Sequence, residues 1–535
     1  ENRKEHMRKI TFVISLIILI QFVLCSSIYA VKKGGTLSIA IRNVDYDTFD
    51  PHVSAFSQAA YVFRNVFDRL VYLDEDANTI PWLATSWKAN KNVTEWTLKL
   101  RKGVTFSDGS PLNAEVIVFN FNRMKDPATG SKQAGPLLGK FNRAEIVDDM
   151  TVKAYFDEPY ALLPFALSSP FMGIVSQAAV EKYGDKFNEN LIGSGPMIFE
   201  NEVPNVEVTL RKNQNYFWSP TNLHAGPSYV DKVVFKFILE DETRHATLRI
   251  GETQIIDEIP PAKVESMQAD PNFQVLGAPK VGMARGIHFN IDRAPTDDKL
   301  VRMAFLHAIN RDEIDKAVFK GVYPVAYQVL TRGVRFYDSS LEDLYEYDPE
   351  KSKSLLNQAG WSKINSDGYR TKNGKVLSLF HATFPGYVAE VPAEVLQAQL
   401  KRVGIKFDIN VMSGTAMMDG MTNLKSTFNT ALVGTYSPDP GLFLKKLYHS
   451  SAMGSFNFSH YTTPELDKLL EGGLATANSD ERAAIYKKIQ KLIMDAAIVG
   501  GLYANASIFG ASKNVEGFQF DPYAQPEIFD IWINK

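Results

Sequence analysis

The sequence predicts a mixed α/β protein with more than one hydrophobic core. At 535 residues the chain is longer than a single core accommodates, so two or three domains are expected. Alternating runs such as Trp96, Leu98 and Leu100 against Thr97, Lys99 and Arg101 read as half-buried strands, and they are interleaved with segments of helical period. The formal net charge is only −3, with no basic excess and no polyacidic tail, which argues against a nucleic-acid partner.

The N-terminus stands apart. Arg3, Lys4, Arg8 and Lys9 precede an apolar run from Ile10 to Ile20, resumed at Phe22 to Leu24, and small residues then lead to Ala30. That order predicts a secretory signal peptide over residues 1–30, cleaved after Ala30. The competing reading, a membrane anchor, needs roughly 20 apolar residues and finds fewer. The only cysteine, Cys25, lies inside this segment, so the mature chain is expected to have no thiol and no disulfide. Lipid modification of Cys25 is the second reading, with bulky Leu24 standing where a small residue is usual.

Beyond the signal, Gly34 to Ala40 reads as a strand, the turn-rich connection Phe49 to Ser57 follows, and a helix from about Gln58 to Phe67 precedes a strand at 69–73. The stretch 81–125 is the most legible. After the alternating strand, Asp108-Gly109 supplies a turn, Pro111 stops the strand, and Asn113 caps a helix whose apolar face includes Val116, Phe119 and Met124. The glycines of Ile192-Gly193-Ser194-Gly195-Pro196 mark a backbone turn; no Gly-Lys-Ser or Gly-Lys-Thr follows, which excludes a phosphate loop. Strands are expected at 206–211 and 230–238, and a helix at 241–249 capped by Asp241. Asp297-Asp298, Asn310 and Asp348-Pro349 read as further helix starts.

The string Leu100-Arg-Lys-Gly-Val-x-Phe-x-Asp-Gly-x-x-Leu-x-Ala-x-Val116, running on to Phe119, resembles a signature of the extracytoplasmic solute-binding proteins of ABC importers, the peptide/nickel family 5 that includes dipeptide- and oligopeptide-binding proteins. Arg211-x-Asn213-x-x-Tyr216-x-Trp218, Val301-Arg302-x-Ala304, Ala308-Ile309-Asn310 and Pro464 to Leu470 extend the resemblance over almost the whole mature chain. It implies an α/β two-lobe periplasmic-binding-protein fold with an extra small domain, three domains in all, closing about a hinge. The implied partition is a signal peptide over 1–30; domain I over 31–80, 200–287 and 501–535; domain II over 81–199; and domain III over 288–500. The chain would cross between lobes near 284–292 and return at Gly501-Leu502-Tyr503. The implied role is capture of a peptide or peptide-like solute in the periplasm and delivery to ABC permease subunits in the inner membrane, by a monomer without cofactor or metal. A non-peptide solute such as an opine, an oligosaccharide or a metal chelate, and a peptide receptor or chaperone without transport, remain the alternatives.

Enzyme chemistry finds little support. The histidines show no zinc spacing, there is no Gly-x-Ser-x-Gly elbow, and thiol catalysis lacks a mature cysteine. The resemblance places ligand contacts instead on the loop Ser54, Ala55, Phe56 and Ser57, and on the stretches Thr383 to Tyr387, Met412 to Met418 and Gly434 to Pro440. Within these it singles out Phe384, Tyr387, Met412, Ser413, Tyr436, Ser437 and Asp439; apart from the resemblance, His288, His381 and His460 are histidines that could approach the cleft, and His288 is taken as the candidate among them. Peptide binders of the family carry an aspartate where this chain has Tyr436, so a short zwitterionic peptide fits poorly unless Asp439 or another residue replaces that counter-ion. Asp439 preceding Pro440 also fits a helix cap, and this is the expected role.

Overall fold

The computed structural model describes residues 31–42, 46–386, 388–422 and 428–534. The expected signal peptide over 1–30 and Cys25 lie outside the described residues, as does Tyr387; the backbone of Ser57 is described but its side chain is not.

Two sheets organise the two lobes. The first has seven strands; its centre is Thr36–Ile41, paired in parallel with Lys232–Phe237 on one side and Ile255–Ile256 on the other. Leu37, Ile39, Ala40 and Ile41 are buried, as a strand covered on both faces requires. The second has five strands, with Ser378–Thr383 parallel to both Lys406–Val411 and Thr430–Tyr436, and Gly282–Phe289 inserted antiparallel between Thr430–Tyr436 and Val499–Tyr503. A four-stranded antiparallel sheet within residues 84–156 forms a third unit. Buried apolar side chains fall into three clusters that follow these sheets.

The chain passes between the seven- and five-stranded sheets at two adjacent places. Phe273–Pro279 belongs to the first sheet and Gly282–Phe289 to the second, so one crossing is at 280–281. Val499–Tyr503 belongs to the second and Ala506–Ser512 to the first, so the return is at 504–505. Lys280 N–H donates to Asn505 O at 2.7 Å, tying the two connectors together. The expected crossings at 284–292 and 501–503 fall instead on strands of the second sheet and, at 290–292, on the turn that follows one of them.

Local structure follows the expected chemistry closely in the 81–125 stretch. Trp96, Leu98 and Leu100 are buried on one face of Glu95–Leu100, and Gly109 takes φ 85° in the turn that Asp108 closes by accepting from Ser110 N. Asn113 Oδ1 accepts from Val116 N at 3.0 Å and starts the helix Ala114–Lys125. Its buried stripe is Val116, Ile117, Asn120, Phe121 and Met124, with Phe119 at the margin. Asp298, Asn310 and Asp348 each cap a helix as expected. Asp241 does not: it opens the helix as its first residue and pairs with Arg244 at 2.6 Å, while Glu240 holds the cap position.

The glycine-rich 192–196 turn is a packing device. A Cβ on Gly193 would sit 2.0 Å from Val66 O and one on Gly195 2.6 Å from Asn65 O, so only glycine allows this approach. Between them Ser194 Oγ donates to Asp68, whose carboxylate also receives Tyr216 Oη at 3.3 Å and Trp218 Nε1 at 2.7 Å. The Tyr-x-Trp pair thus anchors a buried acid.

Candidate functional site

Parallel strands present their carboxyl ends on one edge of a sheet, and in open α/β sheets that edge is where ligands bind. Both sheets turn this edge toward the crossings. On the first lobe, Thr36–Ile41 ends at Arg42 and Ile255–Ile256 ends at Asp257 and Glu258. On the second, Ser378–Thr383 runs into Phe384, and Thr430–Tyr436 ends at Tyr436. Between them lies a cavity of about 210 Å³, lined from the first lobe by Arg42, Tyr61, Asp257 and Glu258, from the crossings by Lys280 and Asn505, and from the second lobe by Tyr323 and Val388.

Charges of both signs meet here. Asp257 is buried, and its Oδ1 accepts from Arg42 N at 2.7 Å with Arg244 Nε 3.5 Å away. Burial pushes its pKa up to about 7, and neighbouring Glu258 adds to the rise, against the pull of the Arg42 N–H, Arg244 and Lys280. Glu258 is half-exposed, pairs with Arg42 Nη1 at 3.3 Å, and holds φ 50°, a left-handed conformation uncommon outside glycine. On the second sheet, outside this lining, Arg285 Nη2 donates to Tyr436 Oη at 3.2 Å and its guanidinium lies 5.5 Å from the Phe384 ring centroid. Lys280 Nζ sits 5.6 Å from the Tyr436 ring centroid. Neither Lys280 nor Arg285 has a carboxylate partner within 4 Å among the described residues.

The three stretches expected to line the cleft are brought together at the carboxyl edge of the second sheet: Phe384, Met412 with Ser413, and Tyr436 each follow or end a parallel strand. Met412 N–H donates to Thr383 O at 3.0 Å, and Ser413 Oγ accepts from Ala416 N at 3.2 Å, capping the helix that follows. Tyr436 is 37 % exposed.

Other expected residues are elsewhere. Ser54 Oγ and Ala55 N both donate to Asp47, and Ala55 O accepts from Gln133, so the 54–57 loop is braced against the small unit and does not line the cavity; Phe56 is exposed. His288 sits near the far end of Gly282–Phe289, buried under Tyr448 and Phe458, with its pKa lowered to about 3 by burial. It is a core histidine. Ser437 is buried and bonds Asp439 in a local turn. Asp439 is fully buried: Oδ1 accepts from Gly441 N at 2.9 Å, capping Pro440–Leu442, and both oxygens receive Arg482 at 3.0 and 2.9 Å. It has no free face for a ligand amine.

Arg42, Asp257, Glu258, Lys280 and Arg285 were not singled out by the sequence. A signal was present: charged residues directly follow the apolar runs Leu37-Ser38-Ile39-Ala40-Ile41 and Ile255-Ile256, which is where a strand's carboxyl end would expose them. Among the described residues no group of three or more His, Cys, Asp or Glu could hold a metal ion, and no helix is long and apolar enough to cross a membrane.

Residues 78–455 match the family of bacterial extracellular solute-binding proteins, family 5. The chain belongs to this family. It is therefore a solute-binding component of ABC importers for peptides or related solutes. Among curated proteins it is similar to the glutathione-binding protein GsiB of Escherichia coli K12, 27 % identical over 486 residues, covering 89 % of this chain and 91 % of the relative. Among solved structures it resembles the periplasmic binding protein DppA of Helicobacter pylori in complex with the peptide STSA, with TM-score 0.73 and 25 % identity over 94 % of this chain and 99 % of the other. NikA of Brucella suis shares the fold, with TM-score 0.82 at 21 % identity over 93 % and 100 % of the two chains.

Proposed function

We propose that the chain is exported by residues 1–30, works in the periplasm, and captures a short peptide or peptide-like solute in the cavity between the two lobes. The observation that carries this is the meeting of both sheets' carboxyl edges, with charges of both signs, beside the paired crossings at 280–281 and 504–505. The glutathione-binding and peptide-bound relatives support the ligand class. Domain I then comprises 31–80, 200–279 and 506–535, domain II 81–199, and domain III 282–503, with the four crossing residues as the hinge. Two short connectors leave few torsions to absorb closure, which suits rotation of one rigid lobe against the other. The small unit meets the second lobe where Ala161 N–H donates to Leu474 O at 2.7 Å. The protein binds without turnover and hands its solute to the permease.

Calorimetric titration of the mature protein with glutathione, Met-Leu and Ser-Thr-Ser-Ala tests the ligand class. Saturable one-to-one binding to at least one, with the peptide recovered unchanged, is expected. Hydrolysis of the peptide, or binding to none, would remove this reading.

A further inference from the structure

The lobes are joined at the paired connectors, and joined again where the small unit meets the second lobe. The small unit is fixed to the first lobe. Its Arg123 donates to both oxygens of buried Asp50 at 3.0 and 2.5 Å, and its glycine turn at 192–196 lies against the backbone of Asn65 and Val66. The bond from Ala161 N–H to Leu474 O therefore spans the two lobes, and neither residue belongs to the connectors. Rotation about the connectors moves such a contact, so the bond is made or broken as the lobes swing.

Each side of this bond is held in place. Tyr160, just before the donor, is tied into the small unit three times: its N–H donates to Val93 O at 2.9 Å, its carbonyl accepts from Trp96 Nε1 at 3.1 Å, and its hydroxyl donates to Leu137 O at 2.6 Å. The acceptor is a carbonyl in the last turn of the helix Pro464–Ala475, where C=O groups have no partner within the helix. One residue earlier, Gly473 O accepts from Arg482 Nε at 3.0 Å. Arg482 is the guanidinium that Asp439 holds by both oxygens, so the buried pair fixes the helix end that the small unit bonds. Charges also act across this seam. Burial raises the Tyr160 phenol above its ordinary value, and the Asp439 carboxylate of the other lobe raises it further. Burial lowers the Arg335 pKa, and Asp439 together with Asp74 of the first lobe works against that fall.

We propose that Ala161 and the end of the helix Pro464–Ala475 form a latch between the lobes, engaged in the absence of solute, that sets how readily the second lobe swings on the connectors. This rests on the lobes closing about those connectors and goes beyond it by naming a second joint and the residues that hold it. Exchanging one backbone hydrogen bond for a bond to water changes such an equilibrium by roughly two- to tenfold. That is enough to set the resting population of lobe positions, and little enough for a solute touching both lobes to outweigh.

The test is small-angle scattering and calorimetric titration of the mature chain, residues 31–535, as wild type, as Ala161→Pro, and as the double variant Ala161→Cys/Leu474→Cys. Proline removes the N–H donor. The two introduced cysteines are the only thiols in that protein, and hydrogen-bonded backbones lie within the Cα separation that a disulfide spans. Without peptide, folded Ala161→Pro is expected to show a larger radius of gyration than wild type. Its affinity for each of glutathione, Met-Leu and Ser-Thr-Ser-Ala that binds wild type should fall roughly two- to tenfold. The oxidised double variant should keep one radius with and without peptide, and reduction should restore the change. Circular dichroism and melting separate these effects from misfolding, and the cross-linked variant carries the test if Ala161→Pro does not fold. A folded Ala161→Pro protein with the wild-type radius, or a cysteine pair that does not cross-link, overturns the latch; contraction of wild type on adding peptide then leaves the hinge standing. A radius that stays the same in every protein and condition overturns both.

Discussion

Asp439→Asn separates a structural acid from a ligand anchor, and its cost can be worked from the geometry. Asparagine keeps an acceptor for Gly441 N and caps about as well as aspartate, so the cap contributes almost nothing to the change. What is lost is the charge facing Arg482, a guanidinium whose side chain is only 6 % exposed and which donates to both carboxylate oxygens. Removing one partner of a buried pair costs ~3–5 kcal/mol, and Arg335 Nη1, 3.7 Å from the same carboxylate, adds a second stranded cation. This is well above the single kilocalorie expected of a cap alone. For a lobe of some two hundred residues melting as a unit, at ~2–4 °C per kcal/mol, the transition should fall by about 6–20 °C. Differential scanning calorimetry of ligand-free protein reads it. Adding Arg482→Met should restore part of the loss, since an apolar side chain in place of the ion leaves no unpaired charge. Peptide affinity should be unchanged within a factor of a few. A variant that melts like wild type but no longer binds would refute the buried-pair reasoning and return Asp439 to the cleft.

Further outcomes follow from the same geometry. Burial raises the Asp68 pKa from 3.8 to about 7 despite its three donors; the folded state then holds the proton while the unfolded state releases it, so stability declines as pH rises from about 4 to 7 and levels off above. The difference in unfolding free energy between wild type and Asp68→Asn, followed by denaturant titration, should change by up to about 4 kcal/mol over that window and be flat from pH 7 to 9. A pH-independent difference would show Asp68 ionised throughout. His288→Gln should leave peptide affinity and its dependence on pH between 5 and 8 unaltered, because the ring is neutral in that range and remote from the carboxyl edge; a tenfold loss by calorimetry in a well-folded variant would place it back in the site. Saturation with a bound peptide should reduce the radius of gyration in small-angle scattering, and an identical profile with and without it would count against hinge closure.

What the sequence disclosed tracks how local each interaction is. The Glu95–Leu100 strand, the Asp108-Gly109 turn and the caps at Asn113, Asp298, Asn310 and Asp348 each depend on neighbours within a few residues, and all were legible. The crossings were misplaced by several residues because Gly282–Phe289 is an inner strand, buried almost throughout, whose apolar run carries no mark of where the chain changes lobe. Ile255–Ile256 is too short to show any period, and only its parallel pairing with Ile39 and Ala40, some 216 residues away, reveals that Asp257 and Glu258 stand at a carboxyl edge. The Asp439 to Arg482 pair spans 43 residues and left no local trace. Asp-Pro therefore suggested a cap, which is true, and concealed the ion pair, which is energetically larger.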